Sequence, residues 1–181
     1  ANEMIENAIS KLNGFDTAIL AHGILPNQKK CEKSFIQTQK TLDINFLSIV
    51  TYLTVLGEYF KKQQRGNIVV ISSVAGDRAR KSNYIYGTSK GALSLFCDGL
   101  RSRLYKDNIN VLTVKPGFVD TPMTTMIEPK GMLWVKPEKV ADDILNGVKN
   151  KKAIIYSPWF WKWMMLTIRF LPNIVINRTN I

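Results

Sequence analysis

Three apolar, largely β-branched runs constrain this chain more than any other feature: TAILAHG (residues 17–23), NIVVISS (67–73) and INVLTVKPG (109–117). Each is bounded by turn residues and reads as a strand buried on both faces, not as one alternating between core and water. Long helical stretches separate them. Residues 40–64 place Ile44, Leu47, Leu53, Leu56 and Phe60 at turn spacings, and a second helix is expected over about 84–106. A shorter helix starts near PEKVADDILNGVKN, where Pro137 suits the first turn and the acidic residues suit the positive end of the dipole. AIIYS (153–157) is a brief fourth strand. Strands alternating with helices in this way form a parallel sheet through right-handed crossovers, with helices on both faces. The fold class expected is therefore α/β, a doubly wound parallel sheet. Ligands bind such sheets at the carboxyl ends of the strands, where AHG, ISS and VKPG lie.

At 181 residues and 45% hydrophobic content, the chain is long enough for one domain with a sizeable core. Its formal charge of +11 suggests an anionic partner, or else scattered solvated lysines. The basic residues do not interleave with aromatics along a strand, and no zinc-finger, RNA-recognition or helix-turn-helix signature is present, so nucleic acid is not expected. Cys31 and Cys97 have neither metal-ligand spacing nor a disulfide framework, which favours a reducing, cytoplasmic setting and no metal. The opening ANEMIENAISKLNG lacks a basic start, an apolar stretch and a cleavage pattern, so it is not read as a signal peptide. It also lacks an initial Met, as an internal boundary or a processed start would.

Chemistry enters with Tyr86 and Lys90 of Y-G-T-S-K, four apart on one helical face. An ammonium near a phenol favours the phenolate and lowers its pKa from about 10, and such a phenol exchanges protons with a carbonyl or alcohol oxygen. Taken singly, this pair has no value as a signal in a chain so rich in lysine. Ser73 ends the strand before it, Asn45 lies in the preceding helix, and Pro116 and Gly117 close the next strand with Val119 and Thr121 just beyond. Each has an ordinary alternative as a turn, helix or loop residue. The ordered set is the signal.

With this set the sequence resembles the short-chain dehydrogenase/reductase family over roughly residues 1–157, treated as one catalytic domain, with 158–181 as an apolar, aromatic C-terminal segment. The resemblance implies a Rossmann-like sheet and hydride transfer between a nicotinamide, NADP or NAD without a readable preference, and a carbonyl or alcohol. It implies a catalytic tetrad of Asn45, Ser73, Tyr86 and Lys90. Tyr86 would be the acid/base, Ser73 would position the carbonyl, Lys90 would hold the nicotinamide ribose and tune Tyr86, and Asn45 would order a water. Ala21, His22, Gly23, Tyr86, Lys90, Pro116, Gly117, Val119 and Thr121 would line the cofactor. Two departures stand out. The family's Asn-Asn-Ala-Gly appears as Leu20, Ala21, His22 and Gly23, and His22 is expected to line the cleft, not to act as a base. No Gly-x-x-x-Gly-x-Gly occurs anywhere in the chain. The family's pyrophosphate turn would thus precede residue 1, along with about two βα units.

The segments VAGDRARKSNYIYGTSK, VLTVKPGFVDTPMT, YSPWFW and AHGILPNQ further resemble the branch that includes the keto-reductase of the decaprenylphosphoryl-ribose epimerase pair. That resemblance implies a keto-sugar on a polyprenyl phosphate, with Arg78, Arg80 and Lys81 toward the substrate. On separate grounds, residues 159–171 are apolar and tryptophan-rich, with Lys162 and Arg169 seven apart on one face. A helix there spans about 20 Å, short of the roughly 30 Å hydrocarbon core. It suits peripheral contact at the inner face of a membrane, or else packing over the pocket or in a homo-oligomer interface. The rival functions are a ketoreductase for another small molecule and a non-catalytic interaction protein of the same fold.

Overall fold

A computed structural model describes residues 1–127 and 131–178, so the last three residues of the 158–181 segment lie outside it. The chain runs α1 (Asn2–Leu12), β1 (Thr17–Leu20), α2 (Gln28–Glu32), α3 (Phe35–Leu42), a π-turn (Asp43–Leu47), α4 (Ser48–Gln63) and β2 (Gly66–Ile71). It continues through a 3₁₀ turn (Val74–Gly76), α5 (Tyr84–Leu104), β3 (Ile109–Pro116), β4 (Phe118–Val119), β5 (Trp134–Val135), α6 (Pro137–Lys149), β6 (Ile154–Ser157), α7 (Trp161–Phe170) and α8 (Asn173–Arg178). The main sheet has the order β1-β2-β3-β6, every pair parallel, and each step is a crossover carrying helix. The four strands read from the sequence all form.

Alternation along the strands divides the core. Ile68, Val70, Ile109 and Val111 face α4 and α5, where they meet Leu53, Leu56, Phe60, Leu93 and Leu104. Val69, Leu112 and Val114 face α6 through Val140 and Ile144. Helices on both faces are what strands apolar on both sides require. On the α6 side of β1, Ile19 stays 53% exposed, and an apolar cavity of about 670 Å³ lies beside that strand between Leu12, Ala18 and Tyr52.

The helix before β2 departs from the expectation of a single run over 40–64. It begins at Phe35 under a Ser34 cap, whose hydroxyl accepts from Gln37 N, and is interrupted by the π-turn. The inserted residue rotates the buried stripe onto Thr41, Asn45, Ile49 and Leu53, leaving Leu47 51% exposed. Helices α1 and α2 were not expected from the sequence. Helix α1 buries only Ile5 fully, and α2 is five residues long.

The C-terminal helix α7 has two apolar faces. Trp161 and Met165 are buried with Val74 against Phe118 and Tyr156. Trp163, Leu166 and Phe170 point outward at 57%, 44% and 81% exposure. No helix among the described residues is long and apolar enough to cross a membrane.

Candidate active site

The strand ends meet as the parallel sheet requires. The segments after β1, β2 and β3, with the first turns of α5 and α6, enclose a cleft of about 320 Å³. Ala21, His22, Gly23, Ser73, Tyr86, Lys90, Pro116, Gly117, Val119 and Thr121 all line it. Residues not singled out from the sequence complete it: Ile71, Ser72, Met123, Thr124 and the α6 side chains Val140, Ala141 and Ile144. The α6 contribution carries a signal only in hindsight, because these positions form the apolar stripe of an ordinary amphipathic helix.

Ser73 reaches Tyr86 because backbone lies directly on backbone. A Cβ on Gly87 would sit 2.8 Å from Ala75 O, and one on Gly76 would sit 2.6 Å from Gly91 N. Only glycine at these points lets the 3₁₀ turn rest on α5. Ser73 Oγ accepts from Ala75 N at 3.1 Å, which leaves its proton for the Tyr86 oxygen.

Lys90 is 4% exposed, with Nζ donating to Ile71 O at 2.9 Å and lying 5.9 Å from the Tyr86 ring centre. Burial pushes it down to about 8. The Tyr86 phenol does not follow the expectation of a lowered pKa. Burial raises it, and the opposing influence is the Ser73 hydrogen bond. Lys90 is turned toward the Ile71 carbonyl, so desolvation of the phenolate dominates.

Asn45 stands outside the cleft lining. Its Oδ1 accepts from Ile24 N at 2.7 Å, while Nδ2 donates to Ile24 O at 2.8 Å and to Ser89 Oγ at 3.3 Å. Every hydrogen of the amide is committed, and the side chain clamps the segment after β1 from behind. A Cβ on Gly23 would sit 3.1 Å from Asn45 Oδ1, a tight contact that the glycine avoids. The residue lies in the π-turn, a feature that recurs at functional sites.

His22 Nε2 lies 2.8 Å from Ser48 Oγ, and that hydroxyl donates to Ile44 O. The histidine must therefore carry its proton on Nε2. Partial burial and Lys90 both lower its pKa, so it is neutral at physiological pH. Gly117 is backed by the tail, where a Cβ would fall 1.9 Å from Trp161 Nε1. Of the basic residues expected near the substrate, Arg78 is committed elsewhere, donating to Asn173 Oδ1 at 2.6 Å. Arg80 and Lys81 line a separate cavity.

A family model for short chain dehydrogenases matches residues 1–131. An uncharacterized oxidoreductase of Mycobacterium tuberculosis is 33% identical over 175 residues, 97% of this chain and 70% of that protein. A short chain dehydrogenase from Burkholderia cenocepacia, in complex with NADP, superposes with a TM-score of 0.83 at 18% identity, covering 97% of this chain and 73% of that one. One from Mycobacterium paratuberculosis, bound to NAD, gives 0.73 at 20%, covering 84% and 65%. The chain belongs to the short-chain dehydrogenase family. It is an oxidoreductase of that family with the family's Rossmann-like sheet.

Proposed function

We propose that residues 1–157 form the catalytic unit of a nicotinamide-dependent ketone reductase, with Tyr86 as proton donor, Ser73 as carbonyl anchor and Lys90 as the cation beneath both. The observation that carries this reading is the convergence of those three side chains with Gly23, Pro116 and Gly117 in one cleft. The residues fit the nicotinamide riboside end of such a cofactor. Lys90 has two protons beyond the one given to Ile71, and a Cβ on Gly23 would fall 3.5 Å from its Nζ. The cofactor, NADP or NAD, supplies hydride when bound. The protein's part is to hold the carbonyl oxygen between the Ser73 and Tyr86 hydroxyls, deliver the Tyr86 proton to it, and shield the site through burial.

The Lys90 cation is present at neutral pH and is lost as pH rises through about 8. For a neutral ketone, kcat/KM should therefore fall on the alkaline side with a midpoint near 8. Lys90→Arg, which stays charged, should remove that limb. A wild-type profile flat to pH 10 would contradict the role. The same shift opposes folding. A lysine depressed from 10.5 in the folded state costs stability below pH 8, and the cost is relieved as pH rises from 8 toward 10.5.

The substrate class that best suits the chain is a keto-sugar on a polyprenyl phosphate, taken at an anionic membrane face by the 158–181 segment. Support comes from the outward face of Trp163, Leu166 and Phe170 beside Lys162 and Arg169. Buried large side chains contribute about 1.5–3 kcal/mol each, and each basic residue about 1 kcal/mol near anionic lipid. Trp163→Ser with Phe170→Ser should lower partitioning to phosphatidylserine vesicles by about 10-fold or more while sparing the packed face. Equal pelleting of both proteins would favour a soluble substrate. The burial of Trp161 and Met165 on Phe118 and Tyr156, with Trp161 backing Gly117, suits that second reading.

A further inference from the structure

Arg80 is unlike the other enclosed basic residues. Lys115 is paired with Asp77, Arg101 donates to Asp98, Thr113 and two carbonyls, and Lys90 donates to Ile71. Among the described residues no hydrogen bond or ion pair reaches the Arg80 guanidinium, and its Nε is shut off from solvent. Burial without a partner destabilises the charged form, the only one arginine adopts near neutrality. The acid nearest in sequence serves other groups: Asp77 Oδ1 accepts from Lys115 and Oδ2 from the Tyr156 hydroxyl.

The guanidinium borders a cavity of about 320 Å³ whose other walls are Ala79, Lys81, Tyr84 and Ile176. Among the described residues no carboxylate lines it. Two cations and a phenol hydroxyl offer donors, while Ala79 and the α8 residue Ile176 offer apolar surface. This is the donor set for an oxyanion with a greasy substituent: Arg can meet a phosphoryl group with two parallel N–H bonds, and Lys81 adds charge. The cavity lies where the loop between β2 and α5 meets the C-terminal tail, six residues before Tyr86.

We propose that Arg80, Lys81 and Tyr84 form a phosphoryl-binding subsite that anchors a phosphorylated, amphiphilic substrate of the reductase centred on Tyr86. This assignment rests on that functional reading for its substrate, though not for its test. The phosphoryl group completes the missing counter-charge of Arg80, and the apolar walls receive the chain attached to it.

The test is calorimetric binding of inorganic phosphate and of geranyl monophosphate to the whole protein carrying Tyr86→Phe, so that no turnover is needed and failure of the reductase reading leaves the result interpretable. Saturable binding that Arg80→Met weakens at least 10-fold supports the subsite. Equal affinity for both probes identifies a water-soluble phosphoester as the source, and tighter binding of the prenyl phosphate identifies a lipid-linked one. Arg80→Met should melt no lower than its parent without phosphate, because it removes a half-buried charge that has no partner among the described residues, and it should lose the phosphate-induced rise in Tm. Should that variant misfold, Lys81→Gln with Tyr84→Phe, both at exposed positions, gives the same binding comparison. Absence of saturable binding to either probe, or equal binding with and without the guanidinium, overturns the proposal.

Discussion

Replacing Tyr86 with Phe should lower kcat by about 10² or more, the usual contribution of a positioned general acid. The substitution keeps the ring and its packing in the first turns of α5, and it deletes only the hydroxyl that meets Ser73. Burial holds the proton on that hydroxyl, which suits it to donation during ketone reduction. The proposed nicotinamide end of the cleft, at Gly23, Lys90 and Gly117, is untouched, so nucleotide affinity should change by less than a few-fold. The steady-state rate together with the nucleotide Kd checks both halves. Near-normal turnover in the variant would remove Tyr86 from the chemistry, and a lost Kd would make it a binding residue instead.

The second large effect is on stability. Asp77→Asn leaves the Lys115 ammonium in the interior, where the partners' side chains are only 10% and 3% exposed. Lys115 Nζ lies 2.6 Å from Asp77 Oδ1, and the Tyr156 hydroxyl donates to Oδ2 at 2.7 Å. Removing one member of a buried pair costs about 3–5 kcal/mol, or roughly 6–20 °C in Tm for a domain of this size. The pair also joins the Ser73 turn to the end of β3 just before Pro116, so activity should fall with stability. Asp77→Leu combined with Lys115→Met should recover most of the loss, because neither charge is then stranded. Thermal unfolding of the wild type and the two variants is the check. A drop of under 2 °C for Asp77→Asn would mean that the pair is open to water.

Much of this architecture was legible because parallel strands must be apolar on both faces. Runs such as NIVVISS admit few other arrangements, and the strand ends then locate the cleft without further information. Tyr86 and Lys90 were legible through company, since Ser73 and the Pro116–Gly117 pair become meaningful only once the sheet brings them together. The Asp77–Lys115 pair was not legible. Its partners are 38 residues apart on different elements, and D-R-A-R-K reads locally as a solvated charged loop. Arg78 was misleading for the same reason, because its engagement with Asn173 is set by the path of the tail. The π-turn did leave a trace. Buried positions Thr41, Asn45, Ile49 and Leu53 recur every fourth residue, slower than the 3.6 of a regular helix, and two of the four are polar. A stripe sought only among apolar residues favoured Ile44 and Leu47 instead. Burial of Tyr86 was likewise beyond a sequence argument, which supplied a neighbouring cation without the desolvation that outweighs it.

Hydride transfer to a carbonyl is the central activity assigned to this protein. The deciding measurement is the steady-state oxidation of NADPH and of NADH by the whole protein across a panel of ketones that includes phosphorylated keto-sugars. Saturable, ketone-dependent oxidation of at least one nucleotide, abolished by Lys90→Met, is the result expected. A folded protein that oxidises neither nucleotide with any ketone, and reduces neither NADP nor NAD with the corresponding alcohols, would contradict it.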